Sequence, residues 1–244
     1  MSIIYETKGK AQEYCPLAAN LYSGCGHGCN YCYVPDILRK DKNEFYEAQP
    51  RKDVTDHIQK EAHKYSGREI LLCFTCDPYQ PLDKDLALTR KAIQVLHDHR
   101  VVVRILTKGG LRAVRDFDLL INHRDLSIFG ITLTFDNARQ SREAEPWAAI
   151  PEDRIESLRT AHDMGIRTWA SLEPVMDPDQ SLSLIIRSAE WVDEFKIGKL
   201  NHVANKIDWK SFGKQAVALM KKLDKRYYLK KDLLAFLPGE PQRG

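Results

Sequence analysis

The chain has 244 residues, room for one α/β domain with a sizeable core, and no Gly/Ser linker, internal repeat or low-complexity segment divides it. Its 37 lysines and arginines against 34 acids leave a net charge of +3 and a pI of about 8.4, too mild to demand a nucleic-acid partner. Met1 to Lys10 lacks the apolar run of a signal peptide, and the longest apolar candidate, Leu126 to Phe135, is broken by Ser, Gly and Thr; the expectation is a soluble cytoplasmic protein with reduced thiols and no membrane contact.

In chain order, Leu21-Tyr22 predicts a short first strand, followed by a long polar loop to Pro50. Val54, Ile58, Ala62 and Tyr65 mark a helix closed by Gly67. Ile70 to Thr75 is a strand, and Leu88, Ala92, Val95 and Leu96 mark the next helix. Val101 to Thr107 is a β-branched strand stopped by Gly109-Gly110; Leu111, Val114, Phe117 and Leu120 form a helical stripe. Ile128 to Phe135 is a strand. Pro151 with Glu152 and Asp153 opens a helix that carries Ile155, Leu158 and Met164 and ends at Gly165. Arg167 to Leu172 is a strand, followed by a helix through Leu182, Ile185, Ile186 and Ala189. Phe195 to Leu200 is a strand, and Trp209, Phe212, Ala216, Leu219 and Leu223 form the last helical stripe.

Six strand–helix alternations predict an α/β fold of parallel strands with helical crossovers, too few units for a closed eight-fold barrel. Polar residues recur where strands end: Asp77, Lys108, Thr134 with Asp136, Glu173, and Lys199 with Asn201. In barrels of parallel strands that rim carries the active site, so a convergent pocket is expected there.

The stretch that carries chemistry is Cys25-Gly26-His27-Gly28-Cys29-Asn30-Tyr31-Cys32-Tyr33. Three thiols within eight residues, separated by glycines that let the backbone curl, favour a soft metal or an iron–sulfur cluster. Three ligands on a four-iron cluster leave one iron open for chemistry. A structural zinc site with His27, Cys15, Cys73 or Cys76 as fourth ligand is the competing reading, though zinc ligands usually come as two separated pairs. Disulfides between adjacent loop cysteines are disfavoured in a chain of this size.

Cys25-x-x-x-Cys29-x-x-Cys32-Tyr33 resembles the signature of the radical S-adenosylmethionine (radical SAM) superfamily. Asn20 to Tyr33, Asp77-Pro78-Tyr79-Gln80-Pro81 and Leu106-Thr107-Lys108 resemble the branch that contains spore photoproduct lyase, in order from about residue 15 to about residue 201. The resemblance implies a partial (β/α)6 TIM-type barrel. It implies one radical SAM domain over 1–244, with a C-terminal helix and basic tail from about 202. It also implies that Cys25, Cys29 and Cys32 ligate a [4Fe–4S] cluster whose free iron takes the amino and carboxylate groups of S-adenosylmethionine. A reductant such as flavodoxin or ferredoxin would supply the electron that cleaves this cofactor to methionine and a 5′-deoxyadenosyl radical, which abstracts hydrogen from the substrate.

The resemblance also assigns roles. Tyr31 would pack on adenine, and Tyr33 would relay a hydrogen atom or shield the cluster. Lys108 would pair with the cofactor carboxylate, and Cys76-Asp77 would lie near its amino group. Thr132 or Thr134, which share a strand face, would offer a hydroxyl; Glu173 would bind ribose or substrate, or form a salt bridge to a rim lysine or arginine. Cys76 is a candidate hydrogen-atom donor, but the corresponding cysteine of spore photoproduct lyase aligns nearer Phe74, which puts thymine-photodimer lyase activity in doubt. On a continued strand Cys73 and Cys76 would face opposite sides, with Cys73 as buried filler. Cys15 has no assigned partner, and His27 reads as a loop residue rather than a ligand. The tail Lys221 to Lys231, with six cations, one anion and two tyrosines, is either a nucleic-acid footprint or a solvated helix face followed by an edge strand. The reading is a radical SAM enzyme acting on a nucleobase in nucleic acid or a nucleotide. The alternatives are a small metabolite or peptide as substrate, and an Fe–S electron carrier or redox sensor without SAM chemistry.

Overall fold

The computed structural model describes residues 3–241. Among these residues there are ten strands: β1 Ile4–Glu6, β2 Leu17–Ala19, β3 Tyr22–Ser23, β4 Gln49–Pro50, β5 Glu69–Leu72, β6 Val102–Ile105, β7 Ser127–Thr132, β8 Arg167–Leu172, β9 Glu194–Ile197 and β10 Arg226–Leu229. Eight of them form one sheet in the order β1-β2-β5-β6-β7-β8-β9-β10, parallel throughout except for β1, which runs antiparallel to β2. The order begins and ends on different strands, so the sheet is an open barrel. Crossover helices such as Val54–Glu61, Leu88–Asp98, Pro151–Asp163 and Pro178–Ser188 connect parallel neighbours, as chain continuity requires.

Local sequence explains these elements well. Pro151 stands at the start of its helix with Glu152 and Asp153 in the first turn, where anions meet the helix dipole, and Ile155, Leu158 and Ala161 give the buried stripe. Gly165 follows at φ +75°, a conformation other residues resist. Asp177 caps Pro178–Ser188 by accepting the Asp179 and Gln180 amides. Inside the barrel, fully buried Trp169 donates its indole N–H to the Ile105 carbonyl at 2.9 Å and lies over Gly130, where any Cβ would overlap its ring.

Four expectations need correction. The first barrel strand is β2, not Leu21-Tyr22; Tyr22–Ser23 instead pairs with Gln49–Pro50 in a separate ribbon. The loop before Pro50 contains two short helices, Val34–Leu38 and Lys42–Tyr46. The sheet has two strands beyond the expected six, because β1 and β10 extend its edges through non-local pairing. The stripe through Leu111 is 3-10 helix from Gly110 to Asp116 before it becomes α-helix at Phe117–Asn122.

Burial also sets an acid sensitivity. His97 is buried on the helix Leu88–Asp98 beside His123, and burial pushes its imidazole down to about 4 from 6.5. The unfolded chain therefore binds more protons between pH 6.5 and 4, and stability falls as pH drops through that window. Thermal melts of wild type and His97→Gln from pH 7 to 4 should differ in slope, with about 2 kcal/mol of the wild-type loss missing in the variant once partial solvation is allowed for.

Candidate active site

The cysteine loop leaves β3 and is strapped down at nearly every residue. Cys25 N–H donates to Phe45 O (2.9 Å), Gly26 N–H to Gln80 Oε1 (2.6 Å), Asn30 N–H to Ala144 O (2.9 Å) and Cys32 N–H to Cys29 O (3.1 Å). The Tyr46 hydroxyl donates to Cys29 O at 2.6 Å. Gly24, at φ +89°, sits against the Phe45 carbonyl, where a Cβ would collide. All three thiols line a cavity of about 470 Å³ at the C-terminal ends of the parallel strands.

Burial pushes the Cys25 and Cys32 thiols up and Cys29 to about 12, so in the bare protein they hold protons that a bound metal must displace. Among the described residues no three His, Cys, Asp or Glu side chains gather round a point for a single ion. Three soft donors on a tight glycine-bearing loop, open to a cavity of this volume, suit an iron–sulfur cluster.

Asp77 and Lys108 arrive from the ends of β5 and β6. The Asp77 carboxylate accepts from Thr107 Oγ1 (2.5 Å), Tyr79 N–H (2.8 Å) and Lys108 N–H (2.7 Å), so it ties two strand-end loops together while facing the cavity. Lys108 lies 5.6 Å from the Tyr31 ring centre and 4.0 Å from Glu145. Burial opposes its charge, but the negative charge of Glu145 favours it and its pKa is raised. Glu145 also takes the Tyr31 hydroxyl and the Arg154 guanidinium, and Arg154 donates to the Thr132 carbonyl at 3.0 Å. His27, expected in a loop, is 1% exposed, with Nε2 2.9 Å from Arg112 and Nδ1 3.5 Å from Asp77; burial pushes it down to about 4. Glu145, Arg154 and Arg112 carry no motif signal, because each enters the site only through pairing across the fold.

The opposite wall is built on Glu173, at the end of β8. It accepts from Tyr14 Oη (2.5 Å), Asn201 Nδ2 (2.9 Å) and buried Lys230. The rim-lysine salt bridge weighed for Glu173 is thus formed, with Lys230. Tyr33 stacks on His202 at 4.9 Å, and burial pushes its hydroxyl up to about 12. Thr132 lines the cavity; Thr134 and Asp136 do not, and Thr134 is fully buried.

Cys73 and Cys76 do not face opposite sides. β5 ends at Leu72, and the Asn20 side chain accepts the Phe74 and Thr75 amides (2.8 and 2.9 Å), bending the segment so that the two thiols meet and both line the cavity. Cys15 lies apart, its thiol donating to Glu69 O at 3.2 Å. The basic tail splits: Lys221 and Lys222 end the helix Trp209–Lys222, Arg226 and Lys231 are exposed, while Tyr227 and Lys230 turn inward. Among the described residues no helix is long and apolar enough to cross a membrane.

An open parallel barrel with three thiols and an ion-paired polar ring at its strand ends defines a cofactor-dependent enzyme. The sequence model of the radical SAM superfamily matches residues 19–192, and the chain belongs to that superfamily, whose enzymes pair a [4Fe–4S] cluster with S-adenosylmethionine. A variant of spore photoproduct lyase superposes with a TM-score of 0.72 at 14% identity, over 93% of this chain and 79% of that one. SuiB of Streptococcus suis bound to S-adenosylmethionine gives 0.67 at 13% identity, over 92% and 52%. An uncharacterised protein of Methanocaldococcus jannaschii is 28% identical over 162 residues, and one from Acidianus two-tailed virus 27% over 175 residues. The matched region spans 60% and 57% of these curated relatives.

Proposed function

We propose that Cys25, Cys29 and Cys32 hold the cluster, and that the enzyme abstracts hydrogen from a phosphate-bearing nucleobase substrate, a nucleotide or a nucleic-acid strand. Cluster and S-adenosylmethionine together supply a 5′-deoxyadenosyl radical when bound. The chain's own residues position and shield. Lys108 offers a cation beside the cysteine loop, and the Asp77 carboxylate keeps the β5 and β6 loops in register around it. Tyr31 and Tyr33 cover the last cysteine on both sides, limiting water. Cys76 stands in the same cavity as a hydrogen-atom donor, with Cys73 against it.

One observation carries the substrate class. The cavity wall holds five lysines, Lys8, Lys10, Lys108, Lys199 and Lys230, against two carboxylates, Asp77 and Glu173. Lys230 is spent on Glu173 and Lys10 on Asp232, but Lys8 makes no ion pair among the described residues, and Lys199 rests only on the Trp209 and Phe236 rings. A mouth with surplus cations and aromatic rings suits phosphate and base together. Spore photoproduct lyase has been solved with a dinucleoside photoproduct, which supports this reading; SuiB has been solved with a precursor peptide, which keeps a peptide as the alternative.

Lys8→Glu with Lys199→Glu should weaken binding of a short single-stranded oligonucleotide about tenfold, roughly 1.4 kcal/mol, and flatten its salt dependence. Reconstituted enzyme with dithionite should still form 5′-deoxyadenosine in that variant. Unchanged oligonucleotide affinity would overturn the phosphate assignment and favour a peptide, while leaving the radical chemistry untouched.

A further inference from the structure

The inner side of the cysteine loop faces the cavity that the cofactor needs, so an electron from a carrier protein has to enter from the outer side. That side has an unusual surface. Trp147 is 66% exposed, more than any other large apolar side chain among the described residues. It is not a stray side chain. Its backbone N–H donates to His27 O at 3.2 Å, and its ring lies 3.4 Å from where a Gly28 Cβ would stand.

Arg112 holds the backbone of Trp147, and Lys42 and Lys84 lie on neighbouring segments. Arg112 donates to Trp147 O (3.2 Å), Tyr79 O (2.9 Å) and His27 Nε2 (2.9 Å), none of them a carboxylate. Lys42 rests on Asn30 O at 2.5 Å, and exposed Lys84 makes no ion pair among the described residues. A second cavity of about 250 Å³ opens beside Arg112 and Lys84, floored by Gln80. Gln80 is fully buried; its Oε1 takes the Gly26 amide of the cysteine loop, and its Nε2 has no partner.

We propose that this outer face, centred on Trp147 together with Arg112, Lys84 and Lys42, is the docking surface of a small acidic one-electron carrier protein. The proposal rests on the cysteine loop being the cluster site. An exposed aromatic with positive charge on neighbouring segments matches the anchor-and-rim pattern of protein interfaces, and redox encounters use small patches that charge steers together. In the transfer the carrier is oxidised by one electron and the cluster of the holoenzyme is reduced by one.

The test uses holoenzyme and flavodoxin as the acidic carrier. Titration at low salt should give a dissociation constant that rises about tenfold in Trp147→Ala and in Lys84→Glu, and that weakens in wild type as salt is added. Flavodoxin-driven 5′-deoxyadenosine formation should fall with binding, while dithionite-driven formation stays at the wild-type rate. Unchanged flavodoxin binding in both variants overturns the proposal. So does an equal loss under dithionite, which would make Trp147 a brace for the loop, or loss of a self-association seen by sedimentation, which would assign the face to a second copy. If dithionite yields no 5′-deoxyadenosine in wild type but flavodoxin binding still depends on Trp147 and Lys84, the cofactor reading fails and the docking surface stands.

Discussion

Cys29→Ala is expected to abolish both the visible iron–sulfur absorption and the formation of 5′-deoxyadenosine after anaerobic reconstitution with iron, sulfide, dithionite and S-adenosylmethionine. The loss should be complete rather than graded, because no side chain in the cavity can make the radical that the cofactors supply. Cys29 is 8% exposed, and the Tyr46 hydroxyl and the Cys32 amide both donate to its backbone carbonyl, which fixes the loop that carries its thiol. Cys25→Ala and Cys32→Ala should behave alike. Cys15→Ala is the control: that thiol is buried outside the cavity in a separate cluster with Ile128 and Trp169, and its removal should leave cluster content unchanged. Full cluster occupancy in Cys29→Ala, or a cluster with no cofactor cleavage in wild type, would replace the radical enzyme with a carrier or a sensor.

The second large effect is on stability. Glu145 and Arg154 form a buried ion pair, each about 1% exposed, with the Tyr31 hydroxyl and Ser141 Oγ also directed at the carboxylate. Burial works to raise the Glu145 pKa, but Arg154 and Lys108 outweigh it and hold the carboxyl below its ordinary 4.5. Glu145→Ala strands a buried guanidinium and should cost about 3–5 kcal/mol, lowering the melting temperature by roughly 10 °C in a chain of this size. Glu145→Gln keeps hydrogen bonding and should lose less. Because the folded-state pKa is depressed, this contribution is present above pH 4.5 and is lost as pH falls through the lower folded value. The deficit of Glu145→Ala should therefore shrink in acid; a deficit constant from pH 7 to 3 would mean that the pair is not ionised. With Tyr31 and Lys108 released from Glu145, the KM for S-adenosylmethionine should also rise.

Part of this site was legible in the chain alone. The spacing of Cys25, Cys29 and Cys32 and the glycines between them specify donor type and loop shape within eight residues. The strand–helix alternation was readable too, since hydrophobic period is a local property: β8 falls on the expected residues, and Ile155 and Leu158 face the core as their helical spacing requires, whereas Met164, expected on the same stripe, lies just past the helix end and is 38% exposed. Asp77, Lys108 and Glu173 were placed on one rim by the rule that parallel strands end together, and they line one cavity.

The remainder depended on contacts between distant parts of the chain. β1 and β10 are strands of three and four residues with no strong pattern, made stable by pairing with β2 and β9. Strand alternation predicts opposite faces for Cys73 and Cys76, but the strand stops at Leu72, where the Asn20 side chain, more than fifty residues earlier in the chain, accepts the Phe74 and Thr75 amides and bends the backbone. Glu145 meets Tyr31 across 114 residues, and Lys230 reaches Glu173 across 57. The sequence by itself determined the donor chemistry and the alternation of elements, because both are set by neighbours along the chain. Only the tertiary structure decided which charges neutralise one another and which stay free at the cavity mouth and on the outer face of the cysteine loop, because buried charges must find partners wherever the fold brings them.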